Sequence, residues 1–142
     1  MKIYFCGSIA GGRSDLTTYQ NMVDFIKRKK HSVLTEHIVL PDVLLYEKEF
    51  TPEQIYTRDI EWLRSCDAVI AEVSHPSHGV GYEISYALRL GKPVLCLYRD
   101  GLFISRLLLG NSSPNIRIKS YQDDDTWQKE IEHFLHPIFH QT

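Results

Sequence analysis

A chain of 142 residues with a formal charge of −2 is long enough for one domain with a real core, and it lacks the basic excess that nucleic-acid binding needs. Its three cysteines, Cys6, Cys66 and Cys96, have no zinc-type spacing and fit a reducing compartment, so we expect neither a metal nor a cofactor. Because the apolar runs are too short to span a bilayer and a strand pattern starts at once, we expect a cytosolic protein or, by diffusion, a nuclear one.

The first half of the chain alternates between predicted strands and helices. Lys2 to Cys6 is a short apolar run that predicts a strand, and Asp15 to Lys30 carries apolar residues at helical spacing. His31 to His37 predicts a second strand. Val39 to Phe50 has no clear period and predicts a loop.

The second half continues the alternation. Thr51 to Gln54 combines a capping residue, a proline for the first helical position and a glutamine that completes a capping box, so it predicts a helix to about Ser65. The remaining predicted elements are a strand at Ala68–Val73, a helix at Val80–Leu90, a strand at Val94–Tyr98, a short helix at Leu102–Leu109, an edge strand at Ile116–Tyr121 and a helix at Thr126–Phe139.

This alternation specifies a three-layer α/β domain with a parallel sheet, and the absence of a repeat or linker predicts a single domain over residues 1–142. Ligands of such sheets bind beyond the carboxyl ends of the strands. Gly7-Ser8, the segment after His37 and the segment from Ser74 to Gly81 all fall at such ends. We therefore expect them to meet at one edge of the sheet.

Glu83 is the first candidate for a reactive group. It lies in Gly79-Val80-Gly81-Tyr82-Glu83-Ile84, a glycine-rich passage from strand to helix whose free N–H groups suit an anion such as phosphate. A carboxylate in that turn would repel the anion unless it has chemistry to perform there. The alternative, an acidic residue favoured by the helix dipole, explains the charge but not the two glycines.

Asp59 is the second candidate. It lies four residues after Ile55 and four before Leu63, on the apolar face of its predicted helix. A carboxylate there is costly unless it is paired or lies at the rim of a cleft, and a boundary Asp paired with Arg58 is the alternative. Together with Glu83 it suggests the two-carboxylate chemistry of glycoside cleavage.

Other residues at this edge offer weaker signals. The loop Gly7 to Arg13 would allow a ligand close to the backbone, with Ser8 and Arg13 on phosphate oxygens, or it is simply a flexible turn. His75 is expected to be an exposed loop residue. The Tyr4 hydroxyl touches either a sugar or Glu83, or Tyr4 simply belongs to the core.

A set of short segments, in order over most of the first hundred residues, carries a family pattern. They are Ile3-Tyr4-Phe5-Cys6-Gly7-Ser8-Ile9, Gly11-Gly12-Arg13, Leu34-Thr35-Glu36-His37, Asp59 with Trp62-Leu63, Ala71-Glu72-Val73, Pro76-Ser77, Gly79-Val80-Gly81-Tyr82-Glu83 and Gly91-Lys92-Pro93-Val94-Leu95-Cys96-Leu97. With them the chain resembles the 2'-deoxynucleoside 5'-monophosphate N-glycosidases (the Rcl group) of the nucleoside 2-deoxyribosyltransferase family.

The resemblance implies a flavodoxin-like, Rossmann-like three-layer sandwich with a five-stranded parallel sheet. It implies hydrolysis of 2'-deoxynucleoside 5'-monophosphates to free base and 2-deoxyribose 5-phosphate. By the same resemblance, Glu83 is the nucleophile that forms a glycosyl-enzyme intermediate, and Asp59 handles the proton at the base. Tyr4 orients Glu83 and crowds the 2' position of the sugar.

The resemblance also implies a homodimer in which Ser105 reaches the neighbouring site. The residues that it assigns to the nucleotide are Gly7, Ser8, Ile9, Ala10, Gly11, Gly12, Arg13, Ser77, Gly79 and Ser105. From its position at the end of the second predicted strand, His37 either lines the substrate pocket or belongs with Glu36 to a polar pair at the strand end. Ala10 departs from the pattern, since the animal members carry Arg there. Two other functions stay open, a deoxyribosyltransferase that moves the sugar between bases and a nucleotide sensor without catalysis.

Overall fold

The computed structural model of the protein describes residues 1–9 and 14–140, which form one parallel sheet with helices on both faces. The strands are β1 (Lys2–Cys6), β2 (Ser32–Val33), β3 (Ala68–Glu72), β4 (Val94–Arg99) and β5 (Ile116–Tyr121). The helices are α1 (Leu16–Arg28), a 3-10 helix (Glu36–Val39), α2 (Val43–Glu47), α3 (Pro52–Ser65), α4 (His78–Arg89), α5 (Arg106–Leu109) and α6 (Asp124–His140). The predicted α/β class with five parallel strands is confirmed. Within the described residues, no helix is long and apolar enough to cross a membrane.

The central strands divide their side chains between two cores. In β1, Ile3 and Phe5 join the apolar cluster formed with α1 and α6, whereas Tyr4 and Cys6 join the cluster formed with α3 and α4. β3 and β4 alternate in the same way. Since both faces of the sheet are covered, nearly continuous apolar strands are what the architecture requires.

The strand order places one crevice in the sheet. The order is β2-β1-β3-β4-β5, so the chain leaves β1 on one side for β2 and returns on the other side for β3. The order therefore reverses between β1 and β3, which is where doubly wound sheets bind their ligands. The loops that follow Cys6 and Glu72 flank this point, as the sequence predicted.

The segment between β1 and α3 differs most from the prediction. The expected strand His31–His37 is paired only over Ser32–Val33, because the chain then turns and Thr35 bonds to β1 through its side chain. Its Oγ1 accepts from the Phe5 N–H at 3.0 Å and donates to the Phe5 carbonyl at 2.5 Å. The expected loop Val39–Phe50 contains the short helix α2.

The helix ends follow from local chemistry. The capping box before α3 is confirmed, with Thr51 Oγ1 3.1 Å from the Gln54 N–H and the Gln54 side chain 2.9 Å from the Thr51 N–H. Helix α4 begins before the predicted Val80, since Ser77 caps it by accepting the Val80 N–H at 3.3 Å. The predicted helix over Leu102–Leu109 is reduced to α5.

A fully buried carboxylate links β3 to the far edge of the sheet. Glu72 accepts hydrogen bonds from the Ser74 N–H at 2.6 Å, the Ser74 hydroxyl at 3.1 Å and the Tyr121 hydroxyl at 2.6 Å. The Ser74 hydroxyl in turn accepts the Arg99 N–H at 2.9 Å. A buried carboxylate is tolerated only when it is satisfied in this way, so the network fixes the loop after β3.

We therefore expect Tyr121→Phe to lower the free energy of unfolding by about 1–3 kcal/mol, since it removes a hydrogen bond to a buried carboxylate. Urea denaturation at pH 7 measures the change. Tyr98→Phe, on the adjacent strand and half-buried, is the matched control. Equal stability of the two variants would contradict the role assigned to the Tyr121 hydroxyl.

Candidate active site

A cavity of about 640 Å³ opens between α2, α3 and α4. Asp59 on α3 and Glu83 on α4 both line it, with Glu47 of α2 on a third side and largely apolar walls between them. The volume lies in the range of small-molecule sites. The structure therefore brings the two predicted carboxylates to one cavity.

Glu83 lies deeper in its helix than the sequence indicated. We expected it in the strand-to-helix turn, but α4 begins at His78, so Glu83 belongs to the second turn. Gly79 lines the cavity beside it, and a Cβ at Gly81 would meet no atom within 4 Å. The glycines leave the first turn of the helix open for a ligand.

Two side chains of β1 hold the Glu83 carboxyl from below. Tyr4 and Cys6 are two residues apart and therefore point to the same face of the sheet, where both are fully buried. The Tyr4 hydroxyl and the Cys6 thiol both act on Glu83 as hydrogen-bond donors. Burial, with Glu83 beside them, raises the pKa of each group far above its usual range, so both donors keep their protons.

Burial dominates the ionisation of Glu83. It raises the pKa of this carboxyl to about 7, and the negative charge of Asp59 adds to the rise. The Cys6 and Tyr4 hydrogen bonds act in the opposite direction. Its Oε2 is buried and has no hydrogen-bond partner among the described residues.

Asp59 combines both interpretations offered for it. It lines the cavity, and its Oδ1 also accepts a hydrogen bond from Arg58 Nε at 2.9 Å. Burial raises its pKa, while the Arg58 guanidinium and His37 act to lower it. The alternative of a boundary Asp paired with Arg58 and the prediction of a cleft carboxylate are therefore both correct.

His37 approaches the cavity wall through other residues. Its ring lies between Tyr46 and Trp62, with centroids 5.5 and 5.7 Å away. Its Nε2 is 3.2 Å from Glu47 Oε1 and 3.3 Å from Arg58 Nη2. Burial and the Arg58 charge lower its pKa.

The first βα loop is described only as far as Ile9, and Ala10, Gly11, Gly12 and Arg13 lie outside the described residues. Gly7 has a packing role, because a Cβ there would lie 2.7 Å from Cζ of the Tyr19 ring. The N–H of the buried Ser8 donates to the Tyr19 hydroxyl at 3.1 Å. Ile9 is partly buried against the core.

A larger cavity of about 940 Å³ lies on the other side of α4. Ser77 and Ser105 line it together, whereas Gly79 lines the cavity of the two carboxylates. The N-terminus of α4 thus stands between the two cavities. Ser105 is exposed at the start of α5.

Sequence reasoning missed an ionic cluster beside the first loop. Asp15 is 2% exposed, and its carboxylate pairs with His75 and with Arg99. The expectation that His75 is a plain exposed loop residue is therefore wrong. In the sequence, Asp15 looks like an ordinary acidic residue at the start of a helix. No spacing pattern connects it with Arg99, which lies at the end of β4.

The titratable side chains do not gather as a metal site. Within the described part of the chain, no three His, Cys, Asp or Glu residues are placed to hold a metal ion. The site offers carboxylates, a phenol, a thiol and backbone donors.

Comparison with known proteins gives a consistent result. Residues 3–129 match the sequence profile of the family described as Nucleoside 2-deoxyribosyltransferase. A protein of Methanococcoides burtonii with the provisional name 2'-deoxynucleoside 5'-phosphate N-hydrolase 1 is 42% identical over 119 residues, which are 84% of this chain and 98% of that protein. The 5-hydroxymethyl-dUMP N-hydrolase of Mus musculus is 40% identical over 141 residues, covering 96% of this chain and 79% of its own.

Solved structures share the fold at lower identity. The CMP N-glycosidase BcmB of Clostridium botulinum superposes with a TM-score of 0.69 at 17% identity, covering 93% of this chain and 99% of its own. At that identity the likeness establishes the flavodoxin-like arrangement of the layers.

The pKa of Glu83 has a consequence for stability. Its usual value of 4.5 holds in the unfolded chain, so folding requires Glu83 to keep a proton that the unfolded chain loses between pH 4.5 and 7. The contribution of this carboxyl to stability is full below pH 4.5 and is lost as the pH rises through 7.

We therefore expect Glu83→Gln to be more stable than the wild type by on the order of 2–3 kcal/mol at pH 8 and nearly equal to it at pH 4.5. Urea denaturation across this range measures the difference. Glu61→Gln, on the exposed face of α3, should show no such trend. A pH-independent difference for Glu83→Gln would refute the raised pKa.

Proposed function

The chain belongs to the nucleoside 2-deoxyribosyltransferase family, and on this basis we propose that it hydrolyses the N-glycosidic bond of 2'-deoxynucleoside 5'-monophosphates. The products are the free base and 2-deoxyribose 5-phosphate. One observation carries the proposal: Glu83 and Asp59 line the same cavity, and the buried Tyr4 and Cys6 act on Glu83 as donors. The names of the relatives support the reaction class and the substrate class.

The reaction divides between the two carboxyl groups. The Glu83 carboxylate attacks C1' of the sugar, the bond from C1' to the base nitrogen breaks, and the base leaves with the electron pair and takes a proton from Asp59. The resulting ester is the glycosyl-enzyme intermediate. Water then attacks C1', Asp59 takes its proton, and Glu83 leaves as a carboxylate.

The two groups work as a coupled pair. As long as Asp59 is charged, it raises the pKa of Glu83 and disfavours the ionised form of Glu83, which is the nucleophile. Protonation of Asp59 therefore supplies the acid and, at the same time, releases Glu83 to ionise. The positive charge that develops at C1' of the sugar also favours an ionised Glu83 beside a protonated Asp59.

The phosphate contributes by positioning. The open first turn of α4, with Ser77 as its cap and Gly79 beside Glu83, offers backbone donors to an anion. Phosphate binding there holds the sugar against Glu83, and binding energy far from the reacting bond then lowers the barrier. Nucleosides that lack the phosphate are expected to be poor substrates.

A homodimer completes the proposal. Ser105 lies between Phe103 and Leu107, whose side chains are 89% and 87% exposed. Such apolar exposure on both sides of a polar residue is typical of a surface that another chain covers. In this proposal Ser105 reaches the phosphate of the neighbouring site.

The family description favours one rival, a transferase that passes deoxyribose from one base to another. The intermediate would be the same, and a second base would replace water as the acceptor. An added free base that appears in a new nucleotide identifies this activity.

We expect Glu83→Ala to lower turnover roughly 10³-fold or more, because the attacking group is removed. Chromatography of a panel of deoxy- and ribonucleoside monophosphates and deoxynucleosides, with and without a second base, measures the products. With the wild type, kcat/KM should show an alkaline limb that falls through about pH 7, because the pair of carboxyls then loses the proton that Asp59 gives to the base.

The control is Glu61→Ala on the exposed face of the neighbouring helix α3, which should keep wild-type turnover. Full activity of Glu83→Ala would remove the nucleophile role. If the wild type binds deoxynucleotides without cleaving any of them, the protein is a nucleotide sensor and not an enzyme.

We expect Tyr4→Phe to have two effects. The loss of a donor to Glu83 should move the alkaline limb to higher pH by up to about one unit. The loss of the hydroxyl beside the sugar should admit ribonucleotides, as the resemblance implies. The same chromatographic panel at several pH values tests both, and an unchanged profile with no ribonucleotide cleavage would contradict the role of Tyr4.

A further inference from the structure

Arg58 bridges three elements at the wall of the carboxylate cavity. Its Nε donates to Asp59 Oδ1 at 2.9 Å, and its Nη2 lies 3.3 Å from Glu47 Oε1 and 3.3 Å from His37 Nε2. One guanidinium therefore joins Asp59 of α3, Glu47 of α2 and His37 of the 3-10 helix. A lysine could not reach all of them, because its ammonium is a single point of charge.

Aromatic rings determine where this guanidinium lies. Its central carbon is 4.9 Å from the ring centroid of Trp62 and 5.5 Å from that of Phe50. Trp62 is one helical turn further along α3, so stacking on it directs the Arg58 side chain along the helix surface. Neighbouring residues on a helix do not normally face each other, and this stacking is what brings Arg58 onto the adjacent Asp59.

Resting on the proposed function, we propose that Arg58 is a positioning residue for the base side of the cavity, where its guanidinium sets both the direction and the charge of the Asp59 carboxyl. Asp59 must give a proton to the leaving base and take one from water, so its orientation and its proton occupancy both enter the rate. Arg58 acts on the reaction only through Asp59.

The electrostatic surroundings of Asp59 support this role. The groups that act on it or lie across the cavity from it are Arg58 on the same helix, His37 on the 3-10 helix, Glu47 on α2, Glu83 on α4 and Tyr4 on β1. Arg58 and His37 are the groups among these that favour the carboxylate, and burial together with Arg58 lowers the pKa of His37. The permanent positive charge at Asp59 is therefore that of Arg58.

A simple clamp between α2 and α3 explains the cluster less well. Arg58 Nη1 and Glu47 Oε2 are both buried and have no hydrogen-bond partner among the described residues. A link selected only for stability would be expected to satisfy such atoms. Of this cluster, Glu47 and Asp59 line the cavity, so the spare donor and acceptor lie directly behind its wall.

The test compares Arg58→Met and Arg58→Lys with Arg64→Met, an exposed arginine on the same helix. Carboxyl NMR titration of the protein without substrate should show the pKa of Asp59 about one unit higher in Arg58→Met and unchanged in Arg64→Met. In steady-state kinetics with a deoxynucleoside monophosphate, Arg58→Met should lose about tenfold in kcat with KM within about threefold, and its alkaline limb should move up by the same unit.

Arg58→Lys keeps the charge without the planar fork, so its alkaline limb should stay in place while kcat falls a few-fold. Arg58→Lys can also replace Arg58→Met in the test if Arg58→Met does not fold, because in Arg58→Lys both Glu47 and Asp59 still face a cation. An Asp59 pKa that Arg58→Met leaves unchanged, or wild-type kcat in Arg58→Lys, would overturn the proposal. Absence of turnover by the wild type would refute the proposed function instead, and the titration would still decide the effect of Arg58 on Asp59.

Discussion

The burial of one carboxyl group organises this molecule. Glu83 is tolerated beside the apolar core in part because Tyr4 and Cys6 of β1 act on it as donors, both on the face of the sheet that α3 and α4 cover. That arrangement requires β1 to lie next to β3, against which α4 packs. The parallel sheet, the crossover and the cap at Ser77 thus serve to bring a helix carboxylate over two strand donors.

Much of the fold follows from the sequence because its determinants are local. Apolar runs define β1, β3 and β4, and the Thr51 capping box defines the start of α3. The predictions that were wrong concern segments whose structure depends on tertiary contacts. β2 ends early because the Thr35 side chain substitutes for strand pairing, and α2 forms in a segment without period because Val43 and the Glu47–Arg58 pair fasten it to the body.

The candidate site residues could be predicted from the sequence where a residue type is unusual for its position in a helix or strand. A carboxylate on the apolar face of α3 and an acid beside two glycines both stand out, and the family resemblance favoured a contact with Glu83 over a plain core position for Tyr4. Cys6 could have been found from its spacing of two from Tyr4, but a buried Cys is usually plain core. Asp15 and Arg99 are far apart in sequence, so only the folded chain shows that they pair.

The two carboxyl groups of the cavity are controlled by opposite means. Neutral donors that cannot release their protons hold Glu83, so its ionisation responds to its neighbours, above all to the charge of Asp59. A permanent cation, Arg58, acts on Asp59 and favours its charged form, while burial raises its pKa. Environments that differ in this way are how two like groups acquire different roles in one site. Because Arg58 stacks on Trp62 and Phe50 where it pairs with Asp59, the packing around the cavity also bears on the charge of Asp59.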